Sequence, residues 1–141
     1  MANTGLKQFD ATVRKSNEIL KIIEEGMGWE NERHKSYGIL RAVLMVLRDR
    51  LTVNEASDLG AQLTPLLRGL FYEQWQPAKM PFKMNKEEFF KKILETCGFA
   101  PDKDIEELIA FVLKVIMSHI SPGEVEEIKT ILPTDIRELL E

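Results

Sequence analysis

The sequence has one cysteine, two histidines and eight glycines that are scattered singly, and these scarcities exclude several kinds of site. Cys97 has no partner for an intramolecular disulfide and falls on the apolar stripe of a predicted helix, where a buried thiol is inert. His34 and His119 show none of the HxxxH, HExxH or CxxC spacings of a metal site. No glycine-rich phosphate loop is present. The sequence therefore predicts no catalytic, cofactor-binding or metal-binding residues, and we expect a protein that is not an enzyme.

Long apolar runs are also lacking. The longest, residues 108–117, is interrupted by Lys114 and is about half of the ~20 residues that cross a bilayer as a helix. The N-terminal sequence MANTGLKQFD has no basic start followed by an apolar block, unlike a secretory signal. We therefore expect a cytoplasmic protein with no membrane segment.

Excess positive charge is missing as well. The formal net charge is −4 and the pI is about 5.3. Residues 1–70 carry a net charge of +1 and residues 71–141 a net charge of −5. Because an acidic surface repels phosphate backbones, nucleic acid is an unlikely partner.

What the sequence does contain is an internal repeat. At an offset of 69 residues, positions 43–70 align with positions 112–139 without a gap. Upstream, the offset becomes 70, which pairs Gly28 with Gly98 and Trp29 with Phe99. The register predicts one domain over residues 1–141, with a first repeat at about 5–72, a connecting segment at about 73–84 and a second repeat at about 85–141. Seven columns of the ungapped block are identical: Val43/Val112, Leu44/Leu113, Val46/Val115, Glu55/Glu124, Leu63/Leu132, Arg68/Arg137 and Leu70/Leu139.

Apolar residues recur at helical spacing in both copies, and no stretch alternates with period 2. The first helix of copy one carries the stripe Leu6, Phe9, Val13, Ser16, Leu20, Ile23 and Met27. The second helix, at about 36–51 and about 104–120, is apolar around so much of its circumference that we expect it at the centre. The fold class is therefore all-α, with about eight helices in two tandem pseudo-symmetric four-helix repeats packed as one bundle-like domain.

Cap signals place the helix boundaries. Gly28 and Gly98 suit the left-handed position after a helix, with Trp29 and Phe99 expected to fold back onto the helix ends. Capping boxes, in which a polar cap and a Glu three residues later bond to each other's backbone amides, are predicted for three pairs. These pairs are Thr52 with Glu55, Asn85 with Glu88, and Ser121 with Glu124.

A longer set of residues forms a family pattern: Arg41-Ala42-Val43-Leu44, Leu47-Arg48-Asp49-Arg50-Leu51, Glu55-Ala56, Leu59, Ala61-Gln62-Leu63, Leu67-Arg68-Gly69, Tyr72-Glu73 and Trp75. In this pattern the sequence resembles the uncharacterised bacterial family known as domain of unknown function 2267. The resemblance covers most of the chain, and it implies a helical bacterial domain with no assigned activity, so no catalytic residues carry over. Thr64 departs from the pattern, in which we expect proline; the second copy has Pro133 at that place.

The stretch between the copies, residues 71–84, is too apolar for an idle linker, and aromatic residues with Met are typical of contact surfaces. One interpretation is that its side chains pack across the seam between the repeats. The other is that part of it lines a groove for a partner helix or peptide. Under the second, the predicted function is a protein-interaction module, and homo-oligomerisation is a further possibility. The candidate partner-binding residues are Phe71, Tyr72, Trp75, Phe82 and Met84.

The alternative function is nucleic-acid binding. Residues 52–67 resemble a helix-turn-helix reader in having two short helices after a cap. The expected recognition helix, at residues 65–70, is mostly apolar and has one basic residue, which disfavours this function. The basic side that would be used consists of Arg41, Arg48, Arg50 and Arg68.

Overall fold

The computed structural model describes residues 3–141; Met1 and Ala2, the start of the N-terminal stretch considered above, lie outside the described residues. Residues 3–141 form eight α-helices and no strand, which confirms the all-helical prediction and the number of helices. Short 3-10 turns occupy Pro77–Lys79 and Glu138–Leu140. The helices are α1 Lys7–Met27, α2 Arg33–Arg50, α3 Val53–Gln62, α4 Pro65–Tyr72, α5 Lys86–Thr96, α6 Ile105–Met117, α7 Pro122–Ile131 and α8 Thr134–Arg137.

Helix α2 is the central element, as its apolar circumference predicts. It packs against α1, α4, α5 and α6, and nearly every residue from Ile39 to Arg48 is buried. Helix α6 is its apolar counterpart in the second half, with Leu108, Val112 and Leu113 fully buried. A helix that is apolar on most sides must be enclosed by others. None of the helices in the described part of the chain is long and apolar enough to cross a membrane.

Helix α1 buries the predicted stripe only in part. Its buried positions are Thr12, Ser16, Ile19 and Ile23, and Leu20 and Met27 pack partly buried against the core. The prediction was wrong for Leu6 and Phe9, which are exposed because burial of this helix begins only at Thr12. Ser16 is tolerated in the core since its hydroxyl donates to the Thr12 carbonyl at 2.8 Å. The Thr12 hydroxyl accepts from the Leu66 amide at 3.0 Å and so covers a free donor at the start of α4.

The glycine predictions hold at both helix ends. Gly28 follows α1 with a left-handed φ of 68°, and Gly98 follows α5 with a φ of 83°. The Trp29 amide then donates to the Glu24 carbonyl at 2.9 Å, which returns the chain over the end of α1 and buries the indole.

The capping predictions hold only in part. Asn85 and Glu88 form the complete reciprocal capping box. The Thr52 and Ser121 hydroxyls accept from the Glu55 and Glu124 amides, each at 3.2 Å, but neither Glu side chain is hydrogen-bonded back to its cap. The Ser121 amide donates instead to Gln62 Oε1 at 2.6 Å, across the α3–α7 interface. The boxes at Thr52 and Ser121 are therefore half-formed, because both Glu side chains turn towards that interface.

Candidate functional site

The connecting stretch, residues 71–84, divides into a buried part and an exposed part. Phe71 is fully buried and Met84 is 6% exposed, whereas Tyr72 and Trp75 are partly buried against the core. Tyr72 stacks on Trp75 with ring centroids 5.2 Å apart. Phe82 is 58% exposed. Of the five predicted partner-binding residues, then, the structure places Phe82 alone fully on the surface, with Phe71 and Met84 in the core.

Four hydrogen bonds fix this stretch to residues 48–50, at the end of helix α2. The buried Arg48 guanidinium donates to the carbonyls of Phe71 and Glu73 and to the carboxylate of Asp49. The Phe82 amide donates to the Asp49 carbonyl at 2.7 Å. Arg50 donates to the Met84 carbonyl at 3.3 Å. These bonds hold the backbone on both sides of Phe82 in one place, as a preformed binding surface requires.

A groove of about 550 Å³ opens beside this fixed backbone, between residues 74–84 and one face of α5. Met80, Phe82 and Met84 supply its apolar lining. The α5 side is a helical face with residues at the spacing i, i+3, i+4 and i+7. Charged side chains of both signs border the apolar lining: Asp49, Lys79, Glu88, Lys91, Lys92 and Glu95.

The four arginines of the alternative function all bond to other groups of the protein, although only Arg48 is buried. Arg48 is 2% exposed and bonds to backbone carbonyls, as described above. Arg68 donates to the carbonyls of Gly60 and Leu63, each at 2.9 Å. Arg41 pairs with the Glu73 carboxylate at 3.2 Å, and Arg50 bonds to the Met84 carbonyl. Phosphate recognition needs guanidinium groups that are free to point outwards, so these contacts do not favour a nucleic-acid surface.

The single cysteine and the two histidines do not line the groove. Cys97 is buried at the end of α5, where its thiol contacts the Phe99 carbonyl oxygen at 3.1 Å. His34 is exposed near the start of α2. His119 is half-buried, with Nδ1 2.8 Å from the Val115 carbonyl oxygen.

A group of residues that sequence reasoning missed lies where α3 meets α7. One carboxylate oxygen from each of four side chains lies within 4.8 Å of the other three, and we call this group the acidic tetrad: Glu55, Asp58, Glu124 and Glu127. A spacing of i, i+3 puts both carboxylates of each helix on one face. The signal that could have revealed the tetrad is that both members of each pair recur at the offset of 69.

Glu124 is the most perturbed member of the tetrad. Its residue is 8% exposed, although Asp58 and Glu127 at the rim are exposed. Burial, followed by the negative charge of Glu55, raises the pKa of the Glu124 carboxyl to about 7. The Glu124 Oε2 and Glu55 Oε2 atoms are buried, and neither accepts a hydrogen bond from a described group outside this pair. A buried carboxylate oxygen without such a donor is costly to keep charged.

The fold and the groove define an all-helical domain with a surface groove between residues 74–84 and α5. The chain belongs to the DUF2267 family, described as an uncharacterized conserved protein, whose family model matches residues 16–139. This membership confirms the resemblance seen in the sequence, and the family has no assigned function. No curated protein matches the sequence.

Proposed function

We propose that the chain is a non-enzymatic protein-interaction module of the bacterial cytoplasm, and that the groove beside α5 binds an amphipathic helix of a partner protein. The observation that carries this proposal is Phe82, an aromatic side chain that is 58% exposed on a backbone fixed by hydrogen bonds. An exposed aromatic ring on a rigid support is a typical anchor of a protein interface.

The lining of the groove favours a helix as the ligand. Phe82 and Met80 give it an apolar surface over the buried Met84, and the Met80 thioether can adapt to different side chains because it is flexible and polarizable. Lys91 and Lys92 stand beside Glu88 and Glu95 on one face of α5, so the border carries charges of both signs. An amphipathic helix matches both features, with an apolar stripe for the centre and mixed charges for the border.

We also infer that α1–α4 and α5–α8 descend from one duplicated unit. The gapless register over positions 43–70 and 112–139 supports this, as does the equal length of α3 and α7, ten residues each, after hydroxyl caps at Thr52 and Ser121. The inference requires the Cα atoms of α2–α3 to superpose best on those of α6–α7 at the offset of 69. A better superposition at another offset would contradict it.

The binding proposal is tested by photo-crosslinking from inside cells. A photoreactive phenylalanine analogue replaces Phe82 in one strain and Phe9 in another. Phe9 is a matched control because it is 59% exposed and lies in the first turn of α1. We expect a discrete crosslinked partner from position 82, and a crosslinked peptide of that partner with an amphipathic helical pattern.

Binding measurements with purified proteins then test the contribution of Phe82 to the affinity. Phe82→Ala is expected to weaken binding of the crosslinked helix at least about tenfold, while Phe9→Ala leaves it unchanged. Equal crosslinking from both positions, or unchanged affinity of the Phe82→Ala variant, would show that the groove is not the binding site. A crosslink between two copies of the chain would show self-association in place of a separate partner.

A further inference from the structure

The acidic tetrad concentrates negative charge that no basic side chain neutralises. Glu55 and Asp58 come from α3, and Glu124 and Glu127 from α7, with one oxygen of each within 4.8 Å of the others. In the described part of the chain, no lysine, arginine or histidine lies within 4.0 Å of these four carboxylates. Like charges at such distances repel each other strongly where water is partly excluded. A cation between the helices would remove that repulsion.

A second observation points to a ligand within the tetrad. Glu124 is 8% exposed, and its buried Oε2 atom accepts no hydrogen bond from a described group outside its pair with Glu55. The predicted capping box requires the Glu124 side chain to accept from the Ser121 amide. That amide donates to the Gln62 side chain instead. The carboxylate is therefore released from helix capping and directed at the other three acids. Glu55, the aligned residue of α3, likewise has a buried Oε2 without such a donor.

From this geometry we propose that the acidic tetrad is a divalent cation site, of a size that fits calcium, which joins α3 to α7. All four ligands are carboxylate oxygens, the donors that hard cations prefer, with no imidazole or thiolate to select zinc or copper. Two oxygens on opposite sides of one calcium ion lie about 4.6–5.2 Å apart, twice the metal–oxygen distance. The same measure for magnesium is about 4.0–4.2 Å. Ligand atoms that are spread over up to 4.8 Å can therefore surround a calcium ion.

The proposed ion has a structural effect and does not depend on the groove. Helices α3 and α7 come from opposite halves of the chain, and their polar contact also includes the Gln62 side-chain amide, which donates to the Ser121 hydroxyl at 3.2 Å. A cation held by two carboxylates from each helix would pull these halves together. Because binding would occur in the folded state, calcium is expected to raise the unfolding temperature.

Thermal unfolding of the full chain tests the proposal after treatment with a chelator and desalting. At calcium concentrations about 100 times the dissociation constant, the unfolding temperature should rise by about 5–10 °C. Magnesium at the same concentration should give a smaller shift. Isothermal titration with calcium chloride should report one bound ion per chain.

Two variants distinguish calcium binding at the tetrad from a general effect of calcium on surface charge. Glu124→Gln keeps the shape of the side chain and removes its negative charge, so the variant should fold and lose the calcium-induced shift. Glu126→Gln is the matched control, because Glu126 lies on the same helix with a side chain 74% exposed, outside the tetrad. It should respond to calcium as the native sequence does.

Three results would overturn the proposal. The first is a native chain whose unfolding temperature does not change in millimolar calcium. The second is a Glu124→Gln variant that responds as strongly as the native chain, which would place the ion elsewhere. The third is an equal response to magnesium, which would contradict the size match.

Discussion

The Trp29 and Phe99 rings meet edge to face, with their centroids 5.7 Å apart and their planes at 81°. Each ring follows a glycine that ends a helix, Gly28 after α1 and Gly98 after α5. Trp29 is 2% exposed, so the contact lies in the core. The two residues are 70 positions apart in the chain, so the contact joins the end of α1 to the end of α5. An edge-to-face pair stabilises the fold beyond the burial of its apolar surface.

This contact predicts coupling between the two rings. Trp29→Ala should destabilise the protein by about 3–5 kcal/mol because it leaves a cavity in the core. A double-mutant cycle with Phe99→Ala, measured by urea unfolding, should give a coupling free energy of about 0.5–1.5 kcal/mol. The control cycle pairs Trp29→Ala with Phe9→Ala, which should be additive. Additivity of the Trp29 and Phe99 substitutions would contradict the contact.

Two glycines in helices should respond oppositely to the same substitution. A Cβ at Gly38 would lie 2.4 Å from the Cys97 carbonyl oxygen, whereas one at Gly69 would have no atom within 4 Å. Gly38→Ala should therefore force α2 away from the end of α5 and destabilise the protein by about 1–3 kcal/mol. Gly69→Ala should stabilise it by about 0.5–1 kcal/mol through the lower entropy of the unfolded chain. Urea midpoints measure both, and a shift in the same direction would refute the packing argument.

Arg48 should be far more important to stability than its surface counterparts. The residue is 2% exposed, and its guanidinium is hydrogen-bonded to the carbonyls of Phe71 and Glu73. Arg48→Ala leaves those carbonyls and the Asp49 carboxylate without their donor, and should cost about 3–5 kcal/mol. Arg33→Ala is the control, since its 46% exposed side chain pairs with Glu24 at the surface and should cost less than about 1 kcal/mol. Chemical denaturation measures the free energy of unfolding of both variants. An equal loss of stability in the two would contradict this prediction.

The raised pKa of Glu124 predicts that one part of the stability falls as pH rises. The pKa is about 7 in the folded protein against 4.5 as the ordinary value, so the folded state holds the proton more tightly. This contribution is fully present below pH about 4.5 and is lost as pH rises through about 7. Relative to Glu124→Gln, the native chain should lose on the order of 2 kcal/mol over that interval. Urea unfolding of both proteins from pH 4 to 8, in the presence of a chelator, measures this loss. A difference in the free energy of unfolding that does not change with pH would contradict the prediction.

Most of the fold could be predicted because it depends on local patterns. Apolar spacing identified α2 and α6 as the central helices. Gly28 identified the end of α1, and Asn85 the beginning of α5. The stripe of α1 was placed partly wrongly because the sequence cannot show where a neighbouring helix stops covering it. Spacing alone includes Phe9 in the stripe, but tertiary packing leaves it exposed.

The sites were harder to predict, for a physical reason. Residues 71–84 were identified by their aromatic content, but which rings are buried depends on the Arg48 and Asp49 contacts from α2. The acidic tetrad was missed because Glu55 and Glu124 each fit a capping box, a sufficient local explanation. Only the approach of α3 to α7 shows that these carboxylates have a different environment.

The start of α5 depends on a side chain much later in the chain. The Lys86 amide, in the first turn of α5, donates to Asp135 Oδ2 at 2.9 Å, where Asp135 belongs to α8. During synthesis on the ribosome, residue 86 is made 49 residues before residue 135 emerges. The Asn85 capping box can form early, whereas the Lys86 bond must wait for α8. Nascent chains stalled before residue 135 should therefore have an α5 that packs on α2 and starts at the Asn85 box, but whose first-turn Lys86 amide is still without its protein acceptor.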